Sequence, residues 1–217
     1  MLKAKQIDKI FALFQKQEPN PKIELDYYND FTLLVAVVLS AQATDNRVNK
    51  ITPQIFAVAD SPYKMTLLGS EALKEMIKSI GLYNNKANNL LAAAKKMYEQ
   101  HNNKVPETFA KLCSLPGVGP KSANVLLNSL FHHESIAVDR HVFRVSNRIG
   151  LCKTKTVKAT ERDLMKKVGK PWRRNAHHWL VLHGRYVCKA RNPKCVECII
   201  KDLCQFKDKI SSDKIKN

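Results

Sequence analysis

The 217-residue chain lacks a long unbroken apolar run, a low-complexity linker and an internal repeat, and it is poor in acid, with 19 Asp+Glu against 37 Lys+Arg. Each absence removes a class of protein. The longest apolar stretch, Phe31 to Ala43, is interrupted by Thr32, Ser40 and Gln42. It falls short of the roughly 20 residues that cross a bilayer, so it reads as a buried helix. Residues Met1 to Gln17 contain no apolar signal core or small-residue cleavage site; Ile7, Ile10, Phe11 and Phe14 recur there at the spacing of an amphipathic helix. With no export signal, the six cysteines do not read as a disulfide framework, and metal binding leads as the reason for any cluster among them. Alternating strand patterns are scarce.

What is present points to a polyanionic partner. The formal net charge is +18, and nucleic acid accounts for such an excess better than an acidic membrane surface does. The charge is concentrated: residues 1–138 carry 16 Lys+Arg against 12 Asp+Glu, residues 139–217 carry 21 against 7. Concentration favours a binding surface over a generally solvated one. A hydrophobic content of 44% is ample for a core, in one large or two small packed domains. Apolar residues keep helical spacing nearly throughout, as in Leu73, Met76, Ile77, Ile80 and again in Leu90, Leu91, Ala94, Met97. Turn signals at Pro19-Asn20-Pro21, Asp60-Ser61-Pro62, Gly81, Asn102-Asn103, Pro116-Gly117, Gly150 and Lys170-Pro171 divide the chain into helix-length segments. The expectation is an all-α protein whose Lys-rich tail after Phe206 is mobile and outside the chemistry.

The most informative stretch is Leu115-Pro116-Gly117-Val118-Gly119-Pro120-Lys121, set between two apolar segments, and it reads as helix, tight turn, helix. Gly117 and Gly119 let the backbone turn sharply and approach another molecule closely, exposing amides at the start of the second helix, where a phosphate fits. The plain alternative is a helix–helix corner. Pro120 suits the first turn of that helix. An amine held at a helix N-terminus and partly desolvated has its pKa depressed, and a less protonated lysine is a nucleophile that forms Schiff bases. Lys121 is therefore either a phosphate contact or a nucleophile. Downstream, Asp139 stands before an arginine-rich helix, either as its N-cap or as a carboxylate that stabilises positive charge developing at a sugar.

Cys188, Cys195, Cys198 and Cys204 form a Cys-x6-Cys-x2-Cys-x5-Cys array. Four thiolates this close hold either a tetrahedral zinc or a 4Fe–4S cluster. Cys113 and Cys152 stand apart and read as buried residues. The loop between the first two ligands carries Lys189, Arg191 and Lys194, so a metal that holds it rigid presents fixed cations to a phosphate backbone. His177, His178 and His183, around Trp179, read as packing or phosphate contacts, without catalysis.

The combination of Leu-Pro-Gly-Val-Gly-x-Lys, then Val-Asp-x-His, then the cysteine array resembles the endonuclease III family of helix-hairpin-helix DNA glycosylases over nearly the whole chain. Leu39 to Asp45, Ile80 to Asn84 with Lys86-Ala87, and His178 to Arg185 add to the resemblance. It implies two helical domains with a DNA-binding cleft between them. A central helical barrel, residues 22–132, would hold the helix-hairpin-helix at about 107–130. A second domain, residues 1–21 with 133–217, would hold the cluster loop 188–204. It selects a 4Fe–4S cluster as the cofactor. It also implies a bifunctional base-excision-repair enzyme that releases oxidised pyrimidines from duplex DNA, with Lys121 attacking C1′, Asp139 assisting, and β-elimination cutting the abasic strand on its 3′ side. Gln42 and Leu82 would occupy the gap left by the flipped base. The expected partner is duplex DNA with damaged bases or abasic sites; the expected setting is a monomer in a bacterial cytoplasm, associated with the nucleoid and not with membrane.

Two residues depart from the family pattern. Arg140 stands where Thr is common, beside Asp139, and Cys113 stands where some members carry Glu, which removes an acidic role there. The alternatives are a thymine or adenine mismatch glycosylase of the same fold, or a non-catalytic iron–sulfur DNA-binding or redox protein. The adenine-excising branch lacks the lysine and carries a longer C-terminal region, and the non-catalytic reading leaves Lys121 and Asp139 without a purpose.

Overall fold

The structure is a computed structural model and describes residues 1–209, so the Lys-rich tail from residue 210 lies outside the described residues. Among those residues every regular element is helical. In chain order the helices are α1 (Ala4–Gln17), α2 (Asp30–Leu39), α3 (Asp45–Val58), α4 (Pro62–Leu68), α5 (Ser70–Ile77), α6 (Tyr83–Gln100), α7 (Phe109–Cys113), α8 (Pro120–Phe131), α9 (Arg140–Ile149), α10 (Val157–Lys167) and α11 (Lys170–Tyr186). Their starts follow local chemistry. Asn29, Thr44, Ser61, Thr108, Asp139 and Thr156 each offer a side-chain oxygen to an N–H of the first turn of the helix that follows. Pro62 and Pro120 take the first helical position, where the missing N–H costs nothing.

The chain divides into two compact units, one formed by Glu24–Phe131 and the other by Met1–Ile23 with the chain from His132 onward. In the first, α2 is the central element: every residue from Phe31 to Leu39 is buried, as befits a helix that is apolar all round, and it packs against α3, α6 and α8. The buried helix expected to run through Ala43 stops at Leu39. The Ser40 hydroxyl donates to Val37 O at 2.8 Å, a side-chain bond that competes with helix continuation, and Ala41 and Gln42 emerge exposed.

The second unit is discontinuous in sequence. The apolar stripe of α1, Ile7, Ile10, Phe11 and Phe14, is buried with Val142, Val145 and Ile149 of α9, Leu164 of α10, and Trp179 and Leu180 of α11. Phe11 lies 6.1 Å from the Trp179 ring and 6.4 Å from Trp172. Both indoles find acceptors on the N-terminal segment, Trp179 Nε1 donating to Glu18 O at 2.8 Å and Trp172 Nε1 to Asp8 Oδ1 at 2.9 Å. α9 ends at Gly150, whose φ of +92° belongs to glycine. A Cβ there would stand 2.4 Å from Gln205 Oε1, while Leu2 N donates to Gly150 O and Gln205 N to Ile149 O.

Candidate functional site

Helices α7 and α8 and the turn between them form the helix-hairpin-helix. Ala123 N donates to Gly119 O at 2.9 Å and Val118 N to Leu115 O at 3.1 Å, which closes the hairpin without side chains. The two glycines serve different ends. Gly117 adopts φ +80°, and a Cβ on it would lie 3.0 Å from Asn89 Cβ and 3.4 Å from Val38 Cγ1, so its close approach is to α6 and α2 of the same unit. Nothing stands within 4 Å of a Cβ position on Gly119, which leaves room there for an incoming group. Lys121 follows as the second residue of α8 and is exposed. Cys113 closes α7 half-buried, and burial raises its thiol above the usual value; it carries no acid into the site.

Gln42 and Leu82 both stand on exposed turns, Leu82 with 57% of its surface accessible. Leu82 is thus no core leucine, nor Gln42 a buried polar cap. Both adopt the left-handed conformation, φ +59° at Gln42 and +61° at Leu82, which side-chain-bearing residues take at a cost of about 1–2 kcal/mol. Close by in the same unit is a residue to which the sequence assigned no role. Lys86 is buried, and its Nζ donates to Leu39 O at 2.8 Å and Ala41 O at 2.5 Å. Burial holds its ammonium below the usual lysine value.

In the other unit Asp139 caps α9: its Oδ1 accepts from His141 N and Val142 N, both at 2.8 Å. The carboxylate is half-buried, and the preceding Ile136, Ala137 and Val138 are buried. The buried His177 ring reinforces that strand of backbone, its Nδ1 standing 2.8 Å from Ala137 O. Arg140 is exposed and its Nε donates to His141 Nε2 at 3.3 Å. Burial, with His177 beside it, lowers His178 to about 3, which keeps it neutral.

Cys188, Cys195, Cys198 and Cys204 are all free thiols and line one cavity with Ile149, His183 and Phe206. The cavity has about 350 Å³ of empty space, part of it open to solvent. Among the described residues no three His, Cys, Asp or Glu side chains are grouped as a single metal ion requires. Four thiols lining one cavity are a donor set for either a zinc ion or an iron–sulfur cluster. N–H groups face two of them, Phe206 N at 3.5 Å from Cys204 Sγ and Arg148 Nη1 at 3.9 Å from Cys188 Sγ, and His183 Nε2 stands 3.7 Å from Cys198 Sγ. Such donors suit anionic sulfur. Burial pushes the Cys198 thiol up to about 11 and raises Cys204, so a cation bound in the cavity would have to displace their protons.

Lys189, Arg191 and Lys194 are exposed on the loop between the first two cysteines. Lys194 lies 3.9 Å from Glu197, a solvated pair of little consequence. The rigidity expected of this loop has a second source besides metal. Arg148 donates to Lys189 O at 2.6 Å and Ala190 O at 2.9 Å, and Arg144 to Cys188 O at 3.2 Å and Gly184 O at 2.7 Å. These two arginines are four apart on α9, the helix that Asp139 caps. That spacing puts them on one face of the helix, but their acceptors are backbone carbonyls some forty residues away.

Residues 35–170 match the family model described as HhH-GPD superfamily base excision DNA repair protein, and residues 188–204 match the iron–sulfur binding domain of endonuclease III. An endonuclease III of Rickettsia conorii is 53% identical over 205 residues, 94% of this chain and 98% of that relative. A solved endonuclease III trapped as a covalent intermediate with DNA superposes with a TM-score of 0.87 at 41% identity, covering 94% of this chain and 97% of that one. A thermostable thymine-DNA glycosylase shares the fold, with a TM-score of 0.83, at only 22% identity over 95% of this chain and 98% of that one.

Proposed function

The chain belongs to the endonuclease III family of base excision DNA repair proteins, and from that premise we propose that it removes oxidised pyrimidines from duplex DNA through Lys121 and Asp139. It is a bifunctional DNA glycosylase and abasic-site lyase that acts on duplex DNA and holds a 4Fe–4S cluster. The observation that carries the assignment of Lys121 is its exposure in the first turn of α8, beside the open space over Gly119. A phosphate seated on the amides of that turn brings the neighbouring sugar toward the amine, and the approach of DNA removes the water that the protein alone leaves there.

In the reaction so read, the Lys121 amine attacks C1′ of an extruded nucleotide. The glycosidic C–N bond breaks and the base departs with the electron pair and a proton. The sugar ring opens to a protonated Schiff base, a C2′ proton is lost, and the C3′–O bond breaks. Water then hydrolyses the imine and frees the lysine. Asp139 stabilises the positive charge that develops at the sugar, from a position locked by its hydrogen bonds to His141 N and Val142 N. Gln42 offers an amide to the orphaned base and Leu82 an apolar wedge to the gap. Cys188, Cys195, Cys198 and Cys204 hold the cluster, which when bound cross-links its loop so that Lys189, Arg191 and Lys194 meet the phosphate backbone with little entropy left to lose. The setting that follows is a cytoplasm, on the nucleoid.

Borohydride trapping on abasic duplex tests the nucleophile. Wild type gives a covalent adduct that Lys121→Gln abolishes, and an undiminished adduct in that variant would falsify the role of Lys121. Release of thymine glycol but not of thymine from a G·T mismatch checks the lesion class; the reverse preference overturns it.

A further inference from the structure

The carbonyls at the end of α2 are all accounted for, two of them by one side chain. Ala36 O accepts from Ser40 N at 2.9 Å, Val37 O from the Ser40 hydroxyl at 2.8 Å, Val38 O from Ala41 N at 3.3 Å and Ser40 O from Ala43 N at 3.1 Å. Leu39 O and Ala41 O accept from Lys86 Nζ. A helix C-terminus leaves its last carbonyls without intrahelical donors and favours a cation. Here the cation arrives from the first turn of a different helix, α6, whose N-cap is Leu82. The backbone N–H of Lys86 donates to Leu82 O at 3.0 Å. One residue therefore joins the carbonyl of Leu82 to the carbonyl of Ala41, which immediately precedes Gln42.

Gln42 and Leu82 are the two left-handed residues on either side of this link. Conformations of that kind are strained and persist only where the surroundings over-determine them. Lys86 is 6% exposed, so it acts on DNA through these two turns and not by contact. We propose that Lys86 is a positioning residue that fixes the Gln42 and Leu82 turns in one register, so that both enter the gap left by an extruded nucleotide as a preformed pair. The proposal rests on the reading of Gln42 and Leu82 as inserted residues. Without the ammonium, the carbonyls of Leu39 and Ala41 lose their donor and the Gln42 turn loses its tie to α6. Ordering the two turns then falls to the binding step, which weakens recognition of a gapped site more than general attraction to the backbone.

The test uses the full-length holoprotein as wild type, Lys86→Met and Lys86→Gln. The probes are a duplex with a tetrahydrofuran abasic analogue and the same duplex undamaged. The ratio of the two affinities falls about tenfold in the Lys86 variants, as expected when preorganisation is lost. The fluorescence of 2-aminopurine placed opposite the analogue loses its response to binding. A smaller folded fraction lowers both affinities in proportion and leaves the ratio where it was, so stability alone does not mimic the effect. Leu82→Ala and Gln42→Ala are measured alongside. If they lower the ratio and neither Lys86 variant does, the role of Lys86 is overturned and the insertion reading stands. If they too keep the wild-type ratio, the insertion reading fails and the Lys86 proposal falls with it.

Discussion

The two units hold their candidate site residues in opposite ways. Glu24–Phe131 presents Gln42 and Leu82 on exposed turns in strained backbone and Lys121 in the exposed first turn of α8, in a unit whose core is built on the all-apolar α2. The other unit fastens its groups by cross-bracing. Asp139 is tied into the cap of α9, and Arg144 and Arg148 on the same helix grip the loop that begins at Cys188. The difference teaches that the two exposed turns are held by their own backbone conformation and the single Lys86 link to α6, whereas the exposed loop of the other unit is held by several links between distant segments. The first needs a deep apolar core beneath it. The second has long irregular stretches, such as Val187 to Gln205, and needs ligands and arginines to hold them.

Removing the cluster breaks the comparison most severely. In Cys198→Ala, amide hydrogen exchange is expected to show lost protection for residues 188–204 and the end of α9, while α2, α6 and α8 keep theirs. The loss reaches several kcal/mol, because metal-binding free energy in such sites is folding free energy. Equal loss in both units would mean that they are not separately held. Next in size is Asp139→Asn. Asparagine caps a helix about as well as aspartate, so thermal stability stays close to wild type while kcat for base release drops on the order of 10²–10³-fold, the usual effect of removing one electrostatic stabiliser. A fall in melting temperature that accounts for the lost activity would return Asp139 to a structural role.

The smallest effect is one of pH. His178 is neutral in the folded chain, at about 3, against an ordinary value near 6.5 when unfolded. Between these values the unfolded chain takes up a proton that the folded chain refuses. Stability is therefore complete above about pH 6.5 and declines on acidification, at up to about 1.4 kcal/mol per pH unit. Between pH 7 and pH 5 His178 is expected to contribute about 2 kcal/mol of the difference in urea unfolding, with a similar share from His183, which burial lowers to about 4, so that His178→Gln removes about half of the total. An undiminished difference in the variant would place the proton elsewhere.

Much of this was legible in the chain. Helical periodicity and turn chemistry located the helices because each signal is local, and Cys188 to Cys204 declared a metal site because four ligands fall within one short span. The end of α2 was misread because Ser40 looks like one more tolerated polar residue until its hydroxyl is seen on Val37 O. Lys86 was invisible as a clamp since its acceptors are carbonyls 47 and 45 positions away, and every residue owns a carbonyl. Lys121 was placed correctly at a helix start, and the exposure of the residue there was not legible, because the helix start says nothing about what covers it.

The packing of Phe11 against Trp179 has a consequence for synthesis. The two residues are 168 positions apart, and at ribosomal speeds of about 5–20 residues per second the second follows the first by roughly 10–30 s. Over that interval Ile7, Ile10, Phe11 and Phe14 travel without the partners that bury them in the finished molecule. Glu24–Phe131 emerges whole in the meantime and folds first. The nascent helix α1 is then an apolar stripe waiting for its other half, a natural handle for a chaperone, and iron can be secured only after the last cysteine has left the ribosome.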